Sequence, residues 1–376
     1  PIAGKAQRFL DAGYLMPKPL IMANYKHIID WAMESIDYRN CNLIFAVRAD
    51  HINDFAIDDI LREKFGEDIK IVVIDRVTAG AVSTCLLAKD YIKGDSPLLI
   101  YTPDVHFKET FNPLTIDEDL DGYLLTFKSN SPNHSYIKLG GNDLVVETAE
   151  KEVISDNAAV GDYYFKTGDM FLKYSEQLIT NNIRTNNEFY ICPMFDLMAK
   201  SGLNIGIHEV QKMHVLGTPS ELEFFTKYSS QKFGEKPIAL ACDHSGYELK
   251  EIAKRILSRN GVQYLDHGTY VHKDCDYNGY VSQAIKSMDD NLCDFGMAFC
   301  RTGQGINIFA NTYKSVRAAL VFDVYMAEHA VRHNCANFFS IPSKYVNEEE
   351  LDRMVKAMLN NSFDGGRHMV RMSKSI

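Results

Sequence analysis

Apolar and polar positions in the first half of the chain alternate between two patterns. Asn42–Val47 (NLIFAV) and Ile69–Ile74 (IKIVVI) are short apolar runs with the length and branching of strands buried on both faces. Helical stretches follow each, at Ile52–Phe65 and Gly80–Ile92. Pro97–Tyr101 (PLLIY) is the next buried strand and runs into the polar turn Thr102-Pro103-Asp104. Strands are predicted at Gly122–Phe127 and Val160–Phe165, and a helix over Pro193–Lys200. A last helix begins at Pro219, where a first-turn proline loses no hydrogen bond, and runs to about Tyr228.

Residues 229–236 are polar, carry Gly and Lys and show no period, which reads as a linker. Beyond it, strands at 238–242, 262–266, 294–300, 317–321 and 337–341 alternate with helices at 246–259, 279–288, 303–310, 323–333 and 347–360. Strand–helix alternation at this pace builds a parallel sheet covered on both faces. The expected fold class is α/β in two domains, 1–228 and 237–376, each a mainly parallel sheet with helices on both faces. The chain opens in a turn, Pro1-Ile2-Ala3-Gly4, with no strand before it, so a few upstream residues are expected.

Composition narrows the chemistry. Of 376 residues 46% are apolar and 24% charged, which excludes a disordered or collagen-like chain. The net charge is −10, and the cations are scattered, so neither a nucleic-acid coat nor an anionic-membrane patch is expected. No apolar run approaches the roughly 18 residues of a membrane span. Eight cysteines form no CxxC pair and no zinc-ligand spacing, which reads as reduced thiols in a cytoplasmic protein.

Near the start, Ala3-Gly4-Lys5-Ala6-Gln7-Arg8 is a small-residue turn opening a helix, followed by Pro17-Lys18-Pro19. Free backbone amides, the Arg8 fork and the Lys18 point charge suit a triphosphate; a solvated helix start is the plainer reading of the same residues. Together with Thr78-Ala79-Gly80-Ala81, Tyr101-Thr102-Pro103-Asp104, Glu147-Thr148-Ala149-Glu150-Lys151, Gly161-Asp162-Tyr163, Asn187-Glu188-Phe189-Tyr190 and Leu216-Gly217-Thr218-Pro219, this segment resembles the sugar-phosphate nucleotidyltransferases over most of residues 1–225. The resemblance implies that Gly4 and Arg8 hold NTP phosphates, Lys18 the transferred phosphate, and Gly80 the base. It implies that Glu150 and Lys151 contact the sugar phosphate and that Asp104 binds Mg²⁺, with Glu188 as candidate second ligand. The implied reaction is in-line attack of a phosphate monoester on the α-phosphorus, with pyrophosphate leaving. Two departures stand out: Ala6 replaces the family's second glycine and Gln7 its Ser or Thr.

The second domain resembles ribose-5-phosphate isomerase type B and its relatives over its whole length. The motifs are Ala241-Cys242-Asp243-His244-Ser245-Gly246, Asp266-His267-Gly268-Thr269, Asp276-Tyr277-Asn278-Gly279, Phe299-Cys300-Arg301-Thr302-Gly303-Gln304-Gly305, Arg332-His333-Asn334 and Gly365-Gly366-Arg367-His368. Aldose–ketose isomerisation needs a ring-opening acid, a base for the C1–C2 proton shift, enediolate donors and a cationic phosphate seat. By resemblance Cys300 is the base and the turn Thr302, Gly303, Gly305 the enediolate cradle. His333, beside Asn334, opens the ring; Asp243, His244 and Tyr277 line the sugar pocket; Arg367 and Arg371 seat the phosphate. A strand end before an amide-rich turn, where Cys300 stands, can lower a thiol pKa.

The implied whole is a bifunctional enzyme of nucleotide-sugar supply acting on an NTP and a sugar phosphate, a pentose 5-phosphate being favoured. It needs Mg²⁺ in the first domain and no cofactor in the second, and the second domain is expected to form at least a homodimer. Arg301 stands where the family has glycine, and it keeps a second reading open: a catalytically silent sugar-phosphate-binding or dimerisation module.

Overall fold

The computed structural model describes residues 1–23, 26–226 and 232–373. It divides into two compact α/β units, residues 1–223 with 369–376, and 224–368. The predicted boundary at 228 lies outside the described residues, as do 229–231 of the predicted linker. The rest of that segment is not linker-like. Phe233 is buried against Phe295 and Phe339, and Lys236 pairs with Asp294 at 2.9 Å. One aromatic side chain with an apolar seat outweighs the polar composition around it.

In the first unit the strands are β1 (Ile44–Arg48), β2 (Lys70–Ile74), β3 (Leu98–Ile100), β4 (Gly122–Lys128), β5 (Ser135–Leu139), β6 (Val145–Glu150), β7 (Asn157–Phe165) and β8 (Ile205–Glu209). β1 and β2 pair in parallel, and the Ile2 amide donates to Ala46 O (2.9 Å), so the chain start runs beside β1. The larger sheet has the order β8-β4-β7-β5-β6, with β3 also on β7. Only β8–β4 is parallel there; the other ladders are antiparallel, so the expected parallel pairing holds for part of this unit. β5 and β6 are joined by a tight turn, which can only return the chain antiparallel. The helix Gly168–Thr180 and strands β5, β6 and β8 were not among the predicted elements. The predicted helix 52–65 is two helices, Ala49–Phe55 and Ile57–Phe65, separated by Ala56 in the left-handed region (φ 49°).

The second unit follows the predicted alternation closely. Its strands β9 (Ile238–Cys242), β10 (Tyr264–Asp266), β11 (Phe295–Cys300), β12 (Ala318–Leu320) and β13 (Phe338–Pro342) form one parallel sheet, order β10-β9-β11-β13-β12. Successive residues feed opposite faces. Ile238, Leu240, Met297 and Phe299 pack into one core, and Ala239, Ala241, Ala298 and Cys300 into the other. Both faces being apolar explains why these strands read as unbroken apolar runs. The fully buried Lys250 is held by Asp266 (2.5 Å) and Glu251 (2.9 Å), tying the helix Tyr247–Arg259 to the end of β10. From β9 the chain passes to β10 on one side and then crosses to β11 on the other. The crevice between the carboxyl ends of β9 and β11 is therefore where such a sheet accepts a ligand.

Candidate active sites

That crevice collects the residues of the second predicted site. Asp243 follows β9 and Cys300 ends β11, and the Asp243 amide donates to Phe299 O (3.2 Å). The Asp243 carboxylate accepts from the Gly246 amide (2.9 Å), and burial raises its pKa. Cys300 Sγ accepts from the Gly303 amide at 3.2 Å. Burial pushes the thiol up, while the amides of Gly303, Ile306 and Thr302 pull it down. The net direction is upward: at 5% exposure the loss of hydration outweighs the lowering that the turn amides exert.

Gly303 takes φ 71° and caps the helix Gln304–Ala310. A methyl on Gly305 would stand 2.5 Å from Tyr277 Oη, which places that hydroxyl on the turn. Thr302 and Arg301 are both exposed. His244 Nδ1 lies 3.2 Å from Cys275 O and 3.1 Å from Asp274 Oδ1, in the loop before Tyr277.

His333, the cap of the helix Val324–Arg332, belongs to a different cluster. Its ring stacks on His368 (4.1 Å, 7°), with Asp364 Oδ2 3.7 Å from Nε2 and His329 edge-on at 4.5 Å. Burial, His329, Arg332 and Arg367 lower its pKa against the pull of Asp364. Arg367 and Asn334 are exposed, and Asn334 O receives Arg317. Arg371 falls with the first unit, so one unit does not hold both predicted phosphate arginines. Among the described residues no hydrogen bond, ion pair or ring contact joins His333 to Cys300.

In the first unit Lys18 Nζ lies 2.8 Å from Asp104 Oδ2, bringing two predicted residues together. Lys18 also lines a cavity of about 270 Å³ with Lys5, Phe9, Arg48, His51 and Phe55 among its walls. Arg8 is exposed and does not line it. The guanidinium in that cavity is Arg48, at the end of β1, braced by Asp50. An arginine at the carboxyl end of a parallel strand was the signal available in the sequence, and it went unread. The helix behind the turn, Gln7–Asp11, has five residues, so it adds little dipole to the turn. Ala6 takes φ 51°, ψ 40°, a conformation that glycine adopts at lower cost. Gly4 is open: a methyl there would meet nothing within 4 Å.

Gly80 is a packing residue, since a methyl on it would lie 2.5 Å from the Phe189 amide nitrogen. Phe189 is flanked by a polar chain: Lys151 Nζ donates to Tyr190 Oη (2.7 Å), which donates to Glu188 Oε2 (2.7 Å). Glu150 accepts from Ser135 Oγ, and burial, with Glu188 nearby, raises its pKa. Glu188 therefore belongs with Glu150 and Lys151, and among the described residues no contact joins it to Asp104. The Tyr190 hydroxyl bonds Glu188 and thereby links it to Lys151.

Among the described residues no group of three or more His, Cys, Asp or Glu could hold a metal ion. Near Asp104, Oε2 of Glu221 is buried without a hydrogen bond, and the Asp162 carboxylate is buried with the Thr102 backbone as its partner. Burial and the Asp104 charge hold both carboxyls above their ordinary range, although Lys18 opposes this at Glu221. Mg²⁺ keeps water or phosphate oxygens and needs only one or two carboxylates, so these residues fit it. All eight cysteines are free, and no helix among the described residues is long and apolar enough to cross a membrane.

Comparison with known proteins separates the two units in the same way. The family model described as Ribose/Galactose Isomerase matches residues 238–375. Ribose-5-phosphate isomerase B of Escherichia coli (strain K12) is 36% identical over 138 residues, covering 36% of this chain and 92% of that protein. A putative sugar phosphate isomerase of Rickettsia bellii (strain RML369-C) is 36% identical over 137 residues, 95% of its length. The amino-terminal part is similar to the crystal structure of a nucleoside-diphosphate-sugar pyrophosphorylase from Vibrio cholerae RC9. There the TM-score is 0.55 at 25% identity, covering 60% of this chain and 98% of that one.

Proposed function

Because the chain belongs, through residues 238–375, to the ribose/galactose isomerase family, we propose that its second unit interconverts an aldose phosphate and its ketose. We propose that the first transfers a nucleotidyl group from an NTP to a sugar phosphate. The two halves are related to a ribose-5-phosphate isomerase B and to a sugar pyrophosphorylase, and a pentose 5-phosphate is the favoured substrate.

For the isomerase, the observation that carries the reading is the crevice itself. A cysteine, a turn of amides and a tyrosine hydroxyl meet at the switch point of a parallel sheet. Cys300 takes the C2 proton of the open-chain aldose and returns it to C1, while the 302–305 amides hold the enediolate oxygens. Tyr277 and Asp243 position the sugar hydroxyls. His333 hands a proton to the ring oxygen, and Arg367 seats the phosphate. Among the described residues His333 makes no direct contact with Cys300 in one chain, which supports a site completed between two copies of a homodimer.

In the first unit, Lys18 and Arg48 hold phosphate oxygens, while Glu150 and Lys151 receive the sugar phosphate. Asp104 is the residue that would hold Mg²⁺, and the ion would supply charge neutralisation for the leaving pyrophosphate. The Lys18–Asp104 pair, beside a cavity with three cationic walls, supports this reading.

The test is a panel of NTPs against pentose and hexose phosphates with mass detection, alongside ribose–ribulose exchange. Pyrophosphate and an NDP-sugar are expected from at least one pairing, and Cys300→Ala should lower exchange by 10²-fold or about that. No NDP-sugar from any pairing removes the transferase half. Exchange unaffected by Cys300→Ala, or no exchange at all, leaves the second unit as a binding module, the reading that Arg301 keeps open.

A further inference from the structure

We propose that Tyr190, with Glu188 behind it, is the positioning residue for Lys151 and aims the Lys151 ammonium at the phosphate of the sugar-phosphate substrate. The inference rests on the nucleotidyl-transfer reading of the first unit and deepens it. On this reading Glu188 serves Lys151 rather than a metal ion.

The device begins in a tight turn. Thr185 and Glu188 exchange both backbone hydrogen bonds (3.1 and 3.0 Å), and the residues between them, Asn186 and Asn187, take φ 49° and 63°. Two left-handed residues in succession suit asparagine better than most residue types. The turn delivers three residues with separate tasks. The Phe189 side chain is buried in the core, 3% exposed. Its amide donates to Ala79 O (2.8 Å), and its carbonyl accepts from the Val82 amide (3.2 Å), so its backbone holds residues 79–82. Glu188 and Tyr190, on either side, meet through their side chains.

An ammonium can only donate and a carboxylate can only accept, so the Tyr190 hydroxyl has one arrangement. Its oxygen accepts from Lys151 Nζ and its proton goes to Glu188 Oε2, each at 2.7 Å. Glu150 and Glu188 are the carboxylates near Lys151. A direct ion pair with either would neutralise the cation that a phosphate needs. The phenol stands between Lys151 and Glu188 instead, so the carboxylate orients the ammonium without pairing with it. One of three ammonium donors is used on Tyr190, which leaves two for phosphate oxygens. Lys151 Nζ also lies 4.6 Å from the Tyr190 ring centroid, so the ring and its hydroxyl together restrain a flexible stem. The other end of that stem is fixed as well: Lys151 follows β6 with φ 60°, and its amide donates to His134 O (3.0 Å).

The experiment uses the full chain and two readouts. The first is the KM of each substrate in the NTP and sugar-phosphate pair that turns over. Tyr190→Phe should raise the sugar-phosphate KM about tenfold, with the NTP KM and the melting temperature as in wild type. Glu188→Gln, which still accepts from the phenol, should raise it less than Glu188→Ala. The second readout is independent of turnover: acetylation of Lys151 by acetic anhydride, followed by peptide mass spectrometry, with ribose 1-phosphate, ribose 5-phosphate and inorganic phosphate as probes. At least one probe should protect Lys151 in wild type, and Tyr190→Phe should weaken that protection. An unchanged sugar-phosphate KM in Tyr190→Phe, both KM values and the melting temperature moving together, or no protection of wild-type Lys151 by any probe overturns the proposal. If no pair turns over but a probe protects Lys151 only while Tyr190 keeps its hydroxyl, the transferase reading falls and the positioning stands. If a pair turns over and Tyr190→Phe behaves as wild type, the positioning falls alone.

Discussion

His214 and His106 face each other across a two-residue antiparallel ladder, their rings 6.1 Å apart and nearly parallel. Burial, with His106 and Lys212 nearby, pushes His214 down to about 3, and burial lowers His106 as well. The folded state therefore binds fewer protons than the unfolded chain, whose imidazoles titrate near 6.5. Stability from these residues is full above that pH and is lost as pH falls toward 3, at about 1.4 kcal/mol per pH unit for each proton gained. The next residues carry the Leu216 amide that donates to Asp104 O (2.7 Å), so acid loosens the strap behind Asp104. In His214→Leu, denaturation midpoints at pH 7.5 and 5 should differ by clearly less than in wild type. An unchanged difference would move the acid sensitivity elsewhere.

At the scale of elements, the turn 302–305 and the start of the helix Tyr277–Asp289 are one device. Gly305 opens a helix, where alanine ordinarily gains about 1 kcal/mol over glycine. Here the added methyl meets Tyr277 Oη at 2.5 Å, so Gly305→Ala should destabilise by about 1–3 kcal/mol and raise the sugar-phosphate KM. Removing the hydroxyl in the double variant with Tyr277→Phe should return most of the stability but not the KM. If the single variant melts as wild type, Tyr277 does not rest on the turn. Helix-breaking at Ala56 and the bulge at Gly161 belong to the same scale. Both depend on left-handed backbone, which a run of ordinary residue types does not announce.

For the whole molecule, the proposed homodimer would bring Cys300 of one copy together with His333 of the other. Mixing Cys300→Ala with His333→Ala, each inactive alone, should restore about a quarter of wild-type exchange, because random pairing in a two-fold dimer regenerates intact sites. No recovery after unfolding and refolding the mixture would mean that each site lies within one chain.

Period and composition alone determined the parallel second unit, because strands buried on both faces are continuous apolar runs. The strand-end placement of Cys300, Asp243 and Asp104 followed from the same pattern. The residues that tertiary structure had to decide are those whose roles depend on a partner far along the chain. Arg48, not Arg8, entered the cavity with Lys18, and Glu188 was claimed by Tyr190 and Lys151. Phe233 converted a polar segment into core. Asp162 reads in sequence as a turn or cap acid; only the close approach of Gly161 to Thr102 buries it. Sequence spacing reports which side chains share a strand or a helix face. Which charges become neighbours, and which lose their water, is set by packing between elements that the spacing does not encode.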